Sequence, residues 1–380
     1  MAWNYFIHHE ICWIALIVFI VLLIIQKKNR IIRVHCADHA FNREMLSQLN
    51  SLIKGYTPTF WLPFSIMKGV YQGDSKIPSM DIYNRVECAM EDGEVIAVDF
   101  YPKENDSVAE SAPIIMFVPG VFGMSQDVHS AKFCELVYTN LRWRTCVFNR
   151  RGYGGMPIQG TRVVGFTSYD DIHEVVKQLA VIYPKRHIYL AGASMGAANV
   201  QNYLAAYNEE NLVKAAVTVS CPWDAHIVTE KVSKNPLLRK GIHDYQIKLF
   251  KEQLENESFQ NLLKEKQICT KAVLKTKDNR DFDMVCASVG LGLDSREDYY
   301  DALSTHLKIG KIGIPVLSMN SSDDLLIPES VIPFEEIERN PYFIHLQVTG
   351  GGHTEYFHGC KAVYVRFIYS VVILVYDRIL

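Results

Sequence analysis

The chain has 380 residues, 49% hydrophobic and 21% charged, with 39 basic against 42 acidic residues. This globular composition excludes disordered and collagen-like classes, and a net charge of −3 lacks the basic excess of a dedicated nucleic-acid binder. Nine cysteines without a C-x-x-C pair argue against a disulfide scaffold or zinc module, and fit reduced thiols facing the cytosol.

Ile11 to Ile25 is an unbroken apolar run of 15 residues. A spanning helix wants about 20, and Trp3, Tyr5, Phe6 and Ile7 extend the run if His8, His9 and Glu10 lie among headgroups. No Lys or Arg precedes it, and Gln26-Lys27-Lys28-Asn29-Arg30 stands where a signal peptide would have its small-residue cleavage site. Residues 1–30 are therefore expected to be a membrane anchor. Lys27, Lys28, Arg30 and Arg33 flank its far end, which by the positive-inside rule puts the rest of the chain in the cytosol. The expected location is an internal membrane such as the endoplasmic reticulum, with a single pass.

Residues 31–84 read as a connector with little periodicity, and Tyr56-Thr57-Pro58-Thr59-Phe60-Trp61-Leu62-Pro63 within it as a docking strap. A core then begins at 85. Val86–Met90 and Val95–Tyr101 around Glu91-Asp92-Gly93-Glu94 predict a hairpin. Ile114–Val118 is the short apolar run of a strand buried on both faces. A helix near Asp127–Asn140 and a strand Thr145–Asn149 follow. Thr167 with Asp170 is expected to cap a helix whose Ile172, Val175, Val176, Leu179 and Ile182 recur at helical spacing. Strands are predicted at Ile188–Ala191, Ala215–Val219, Val316–Asn320 and Phe343–Thr349. Strands alternating with helices imply an α/β fold with a mainly parallel sheet covered on both sides and an antiparallel edge from the hairpin.

The alternation stops over 221–300, between the first core part at 85–220 and the second at 301–380. That insertion is helical in character, and its residues 231–280 hold 12 Lys/Arg against 6 Asp/Glu. It is expected to cap a site at the strand ends, its basic faces meeting anionic lipid or solvent. Val363–Leu380, broken by Arg366, Asp377 and Arg378, reads as the last sheet-covering helix rather than a second membrane segment.

Gly192-Ala193-Ser194-Met195-Gly196 is a G-x-S-x-G sequence between a buried strand and a small-residue helix, the setting a nucleophile elbow requires. Ser194 is the candidate nucleophile. Its base should come last in chain order, and His353, in Thr349-Gly350-Gly351-Gly352-His353 after the last strand, fills that place, with His358 in the expected final helix as competitor. The acid should follow Val316–Asn320. Asp323 and Asp324 both stand there, and Asp324, four residues before Pro328, is preferred, leaving Asp323 as a loop cap. The oxyanion donors are assigned to the N–H groups of Met195, after the nucleophile, and Val121, in Pro119-Gly120-Val121-Phe122-Gly123 after the third strand.

These stretches, with Tyr56-Thr57-Pro58-Thr59-Phe60-Trp61, Asn149-Arg150-Arg151-Gly152 and Asp298-Tyr299-Tyr300, resemble the membrane-anchored α/β-hydrolase-domain lipases of the AB hydrolase 4 type. That family includes a medium-chain phosphatidylcholine phospholipase, a monoacylglycerol lipase and yeast medium-chain ethanol acyltransferases. The resemblance implies an α/β-hydrolase fold and a serine hydrolase or acyltransferase acting on lipid esters. The sequence departs in Thr354-Glu355, where the family often has a second small residue. It lacks an H-x-x-x-x-D acyltransferase motif, and Pro119 stands where many hydrolases keep a histidine. The expectation is a membrane-bound serine esterase or lipase working through an acyl-enzyme, with a lipid ester and the membrane as partners and neither nucleic acid, metal nor organic cofactor implied. An acyltransferase or thioesterase with the same triad, or a catalytically silent receptor on this fold, are the rival expectations.

Overall fold

A nine-stranded sheet in the order β1-β9-β8-β7-β6-β4-β5-β3-β2 organises the chain. The strands are β1 (Ile32–His35), β2 (Asn84–Ala89), β3 (Val95–Tyr101), β4 (Ile114–Val118), β5 (Arg144–Phe148), β6 (Ile188–Ala193), β7 (Val213–Val219), β8 (Val316–Ser321) and β9 (Phe343–Val348). The computed structural model describes residues 13–14, 16–22, 24, 31–59, 61–62, 64–70, 79–103, 108–163, 165–210, 212–359 and 363–364. The six central strands run parallel, and the β2–β3 hairpin forms one antiparallel edge. Both faces are covered, and the pleat of β4 shows why the strand reads as one apolar run. Ile114, Met116 and Val118 enter one core cluster, while Ile115 and Phe117 enter the other.

Helices α1 (Ala40–Gly55) and α3 (Val128–Leu141) lie on the Phe117 face, where Met45, Leu49, Phe133 and Val137 are buried. Helices α4 (Tyr169–Ile182) and α5 (Met195–Ala206) bury Ile172, Val175, Val176, Leu179 and Val200 on the other face. Ile182, grouped with them by spacing, is 51% exposed because it lies at the end of α4. Thr167 does not cap α4. Ser168 occupies the N-cap without a side-chain cap bond, and its N–H donates to Asn199 Oδ1 on α5 at 2.7 Å.

The connector is more ordered than its sequence suggests. β1 pairs antiparallel with β9 and closes the other sheet edge. The strap docks: Thr59 N–H donates to Phe357 O at 3.2 Å and Gly359 N–H to Thr57 O at 2.9 Å. Beyond it a short helix, α2 (Ser65–Val70), brings Lys68 into the interior.

Between β7 and β8 the chain is helical, with α6 (Ala225–Lys234), α7 (Pro236–Gln253), α8 (Glu257–Glu265) and α9 (Arg296–Leu303) as its longer pieces. It has its own apolar cluster of Phe250, Phe259, Leu262, Leu263 and Phe282, closed by Ile158 and Val163 from the loop after β5. Exposed lysines of this segment pair at i,i+4, as in Lys234–Glu230 and Lys240–Asp244.

Phe357–His358 pairs antiparallel with Val363–Tyr364. His358 therefore sits in a two-residue strand rather than in the expected final helix, and Val363 opens no helix. Positions 365–380 lie outside the described residues. Of the expected anchor over 1–30, only residues 13–14, 16–22 and 24 are described; they are helical, and Trp13, Ile14, Ile17 and Ile24 are more than half exposed. Among the described residues no helix is long and apolar enough to cross a membrane.

Candidate active site

The strand order reverses at β4. β5 lies on one side of it and β6 on the other, so the crevice at their carboxyl ends is a topological switch point, where open α/β sheets bind ligands. Ser194 stands there, between the last residue of β6 and the first of α5, with φ 55° and ψ −123°. A non-glycine residue held in that conformation is strained, and the turn around it is tight enough to demand glycines. A Cβ on Gly192 would come 2.6 Å from Gly196 O, and one on Gly196 would come 2.0 Å from Val118 O. The elbow thus passes directly over the end of β4.

His353 reaches Ser194 from the loop after β9. Its Nε2 lies 2.8 Å from Ser194 Oγ and its Nδ1 2.7 Å from Asp324 Oδ2. Asp324, fully buried, is held from behind, since its Oδ1 accepts from the N–H groups of Leu326 at 2.7 Å and Ile327 at 3.1 Å. Burial alone would push the imidazole pKa down, but the Asp324 carboxylate beside it and bonded to it wins, and the pKa stands above the ordinary histidine value. The neighbouring Asp323 turns elsewhere and accepts from Gly350 N–H at 2.5 Å.

The histidine loop is clamped at several points. Lys68 Nζ donates to Gly350 O at 2.6 Å and Gly351 O at 3.2 Å, and the Ser220 hydroxyl donates to His353 O. Burial lowers the Lys68 pKa to about 8, against the raising pull of Asp323 and Glu355.

Gly120 and Val121 line the cavity beside Ser194. Arg150, fully buried, donates from Nη1 to Gly120 O and from Nη2 to Pro119 O, each at 2.6 Å. Tyr153 donates its hydroxyl to Val121 O at 2.9 Å. In a trans peptide the N–H points opposite to the C=O. Pinning Gly120 O therefore turns Val121 N–H to the side away from Arg150. Among the described residues neither Val121 N–H nor Met195 N–H has a backbone acceptor.

Of the residues singled out in the sequence, Ser194, Asp324 and His353 come into direct contact, Val121 and Met195 stand beside them, and Asp323 supports the loop. Sequence reasoning missed Arg150, Tyr153, Lys68 and Ser220. Asn149-Arg150-Arg151-Gly152 stood out as a motif, but nothing in it distinguishes the guanidinium that faces the site from its neighbour. Lys68 and Ser220 carry no local signal at all.

Two cavities meet at Ser194 and His353. One, of about 540 Å³, runs under Phe117, Phe133, Val217, Val219, Leu238 and Ile242. The other, of about 100 Å³, lies under the helical segment.

A strained serine elbow at the switch point of a mainly parallel sheet defines the class, and the chain belongs to the alpha/beta hydrolase fold family, whose sequence pattern matches residues 113–337. Ser194 and Asp324 fall inside that match, and His353 follows it. Similar proteins include the Bos taurus protein named Phospholipase ABHD3, 27% identical over 348 residues, covering 88% of this chain and 80% of that one. The Saccharomyces cerevisiae monoacylglycerol lipase is 26% identical over 266 residues, covering 67% of this chain and 57% of its own length. Among solved structures, the Pyrococcus furiosus esterase Pf2001 superposes with a TM-score of 0.49 at 16% identity, covering 80% of this chain and 96% of that one.

Proposed function

We propose that this protein is a serine carboxylic-ester hydrolase acting on lipids. The observation that carries the reading is the double engagement of His353, bonded to Ser194 Oγ on one side and to Asp324 on the other. A hydroxyl becomes a useful nucleophile when a base takes its proton. Ser194 Oγ attacks the acyl carbonyl while His353 Nε2 accepts the proton, and Asp324 holds the tautomer and stabilises the imidazolium. Met195 and Val121 N–H groups stabilise the developing oxyanion, with Arg150 and Tyr153 fixing the loop that presents Val121. His353 then protonates the departing alkoxide. Water, deprotonated by the same imidazole, releases the fatty acid and restores Ser194.

The larger cavity suits the acyl chain, because its deep walls are aromatic and aliphatic. The names of the relatives, a phospholipase and a monoacylglycerol lipase, support a lipid ester as substrate. The segment over 221–300 serves as the cap over the site. The apolar run Ile11–Ile25 holds the enzyme to an internal membrane, with the catalytic domain on the cytosolic side. Such tethering raises the local concentration of lipid without demanding tight binding.

A fluorophosphonate probe tests the core of this reading. Wild type is expected to be labelled and Ser194→Ala to be silent; equal labelling of both would end it. Deleting residues 1–30 is expected to move the protein from the carbonate-resistant membrane pellet to the supernatant, and retention in the pellet would overturn the anchor.

A further inference from the structure

The smaller cavity is lined on the cap side by Gln246, Asn279 and Asp283, all at least 95% buried, together with Tyr299 and Tyr300. Asp283 accepts from Gln246 Nε2 and from the Tyr300 hydroxyl, each at 3.1 Å. Those bonds fix the Gln246 amide, leaving its Oε1 without a partner, and Asn279 Oδ1 is likewise unsatisfied. Buried acceptors are normally paired, and exceptions call for an explanation. Asp283 also opens a π-helical turn, Asp283–Ala287, and π turns inside helices frequently mark functional sites. No lysine or arginine is among the described residues that line the cavity.

This chamber shares Val121, Ser194, Ile242, Leu326 and His353 with the larger cavity. An ester seated on Ser194 with its acyl chain in the larger cavity would lay its alcohol portion in the smaller one. We propose that the smaller chamber is the leaving-group site and that it recognises an uncharged, hydroxyl-bearing alcohol of glycerol type through Gln246 Oε1 and Asn279 Oδ1. The two unsatisfied buried atoms there, Gln246 Oε1 and Asn279 Oδ1, are both acceptors, so a ligand that satisfies them must donate hydrogen bonds. Glycerol hydroxyls donate. A phosphodiester only accepts, and it would lie beside the Asp283 carboxyl with no lysine or arginine among the described lining residues to pair with it. Burial pushes that carboxyl up to about 7 against the lowering bonds from Tyr300 and Gln246, which engage both of its oxygens as acceptors. Size agrees: where one water needs about 10–15 Å³, a cavity of about 100 Å³ admits a small polyol. The substrate class that follows is the acylglycerols, in preference to phospholipids. This inference rests on Ser194 being the nucleophile.

The test presents one saturated acyl chain to the full-length protein in mixed micelles as three esters: the methyl ester, the 1-monoacylglycerol and the lysophosphatidylcholine. The expected order of kcat/KM places the glycerol ester first and the phospholipid last. Asn279→Leu, which removes one waiting acceptor, is expected to lower the glycerol-to-methyl ratio about five- to tenfold, the worth of one buried hydrogen bond. A phospholipid preference in wild type overturns the proposal, and so does a variant that lowers both esters in the same proportion. If Asn279→Leu does not fold, the wild-type order alone decides. Hydrolysis of none of the three, with Ser194 unlabelled by fluorophosphonate, brings down the nucleophile reading itself, a result distinct from a wrong order among cleaved esters.

Discussion

Arg150 and Arg151 follow β5 side by side, and each meets a different kind of partner. Arg151 enters a set of carboxylates: its Nη1 lies 2.6 Å from Asp92 Oδ2, its Nη2 2.8 Å from Asp171 Oδ1, and Glu94 is 3.7 Å away. Burial would lower its pKa, but Asp171 and Asp92 more than compensate and hold it above the ordinary value. Arg150 has no carboxylate within ion-pair distance among the described residues; it is bonded to two carbonyls, its Nε has no partner, and burial lowers its pKa. A buried charge satisfied only by neutral dipoles is a poor way to stabilise a fold. It is a good way to orient a loop, because a planar guanidinium sets two carbonyls in one geometry. The hairpin-side arginine ties carboxylates of the fold together, and the site-side arginine orients the loop beside Ser194.

Four experiments press on that division, in descending order of effect. Asp324→Asn removes the carboxylate that orients the base, and kcat is expected to fall by about 10⁴ with the fold intact. The same variant tests the titration. In the proposed mechanism the base works as neutral imidazole, so kcat/KM rises with pH through the His353 pKa, which Asp324 holds above the ordinary value. Without the carboxylate that acid limb should move to lower pH, and a limb that stays put would exclude Asp324 as the partner.

Arg151→Met removes the most buried cation from Asp92, Glu94 and Asp171 and leaves Arg162 as the remaining partner of Asp92 and Asp171, and urea unfolding should show a loss of about 3 kcal/mol, with kcat per folded molecule retained. Arg150→Met should show the reverse: kcat lower by about 10²–10³, as for loss of an oxyanion donor, with the urea midpoint unchanged or raised. If the two variants lose rate and stability in parallel, the division is wrong. Lys240→Ala breaks an exposed i,i+4 pair with Asp244 and should cost no more than about 0.5 kcal/mol in the same unfolding measurement.

Legibility in the sequence follows the range of the interactions. The central strands were readable because each buried face leaves its own run of apolar residues. The elbow was readable because steric crowding within five residues demands Gly192 and Gly196. β1 escaped notice because four residues at a sheet edge, Ile32-Arg33-Val34-His35, are too short for a pattern to stand out. Thr167 reads as a cap because hydroxyls favour that position locally; the boundary lies one residue on, where α5 supplies the partner through Asn199. Spacing favoured Asp324 over Asp323 but had no means of showing which side of the turn each faces. In the folded chain Asp324 meets the imidazole and Asp323 meets the Gly350 amide.

From the sequence alone came the class of sheet, the serine on its elbow, the histidine after the last strand and a short set of candidate acids, because each depends on neighbours a few positions away. Tertiary structure alone decided that Lys68, Arg150, Ser220 and Asp283 gather around that serine. Their contacts join residues remote along the chain, such as Lys68 with Gly350, 282 positions apart. Packing of the whole sheet creates such contacts, and they leave no periodicity in the chain to read.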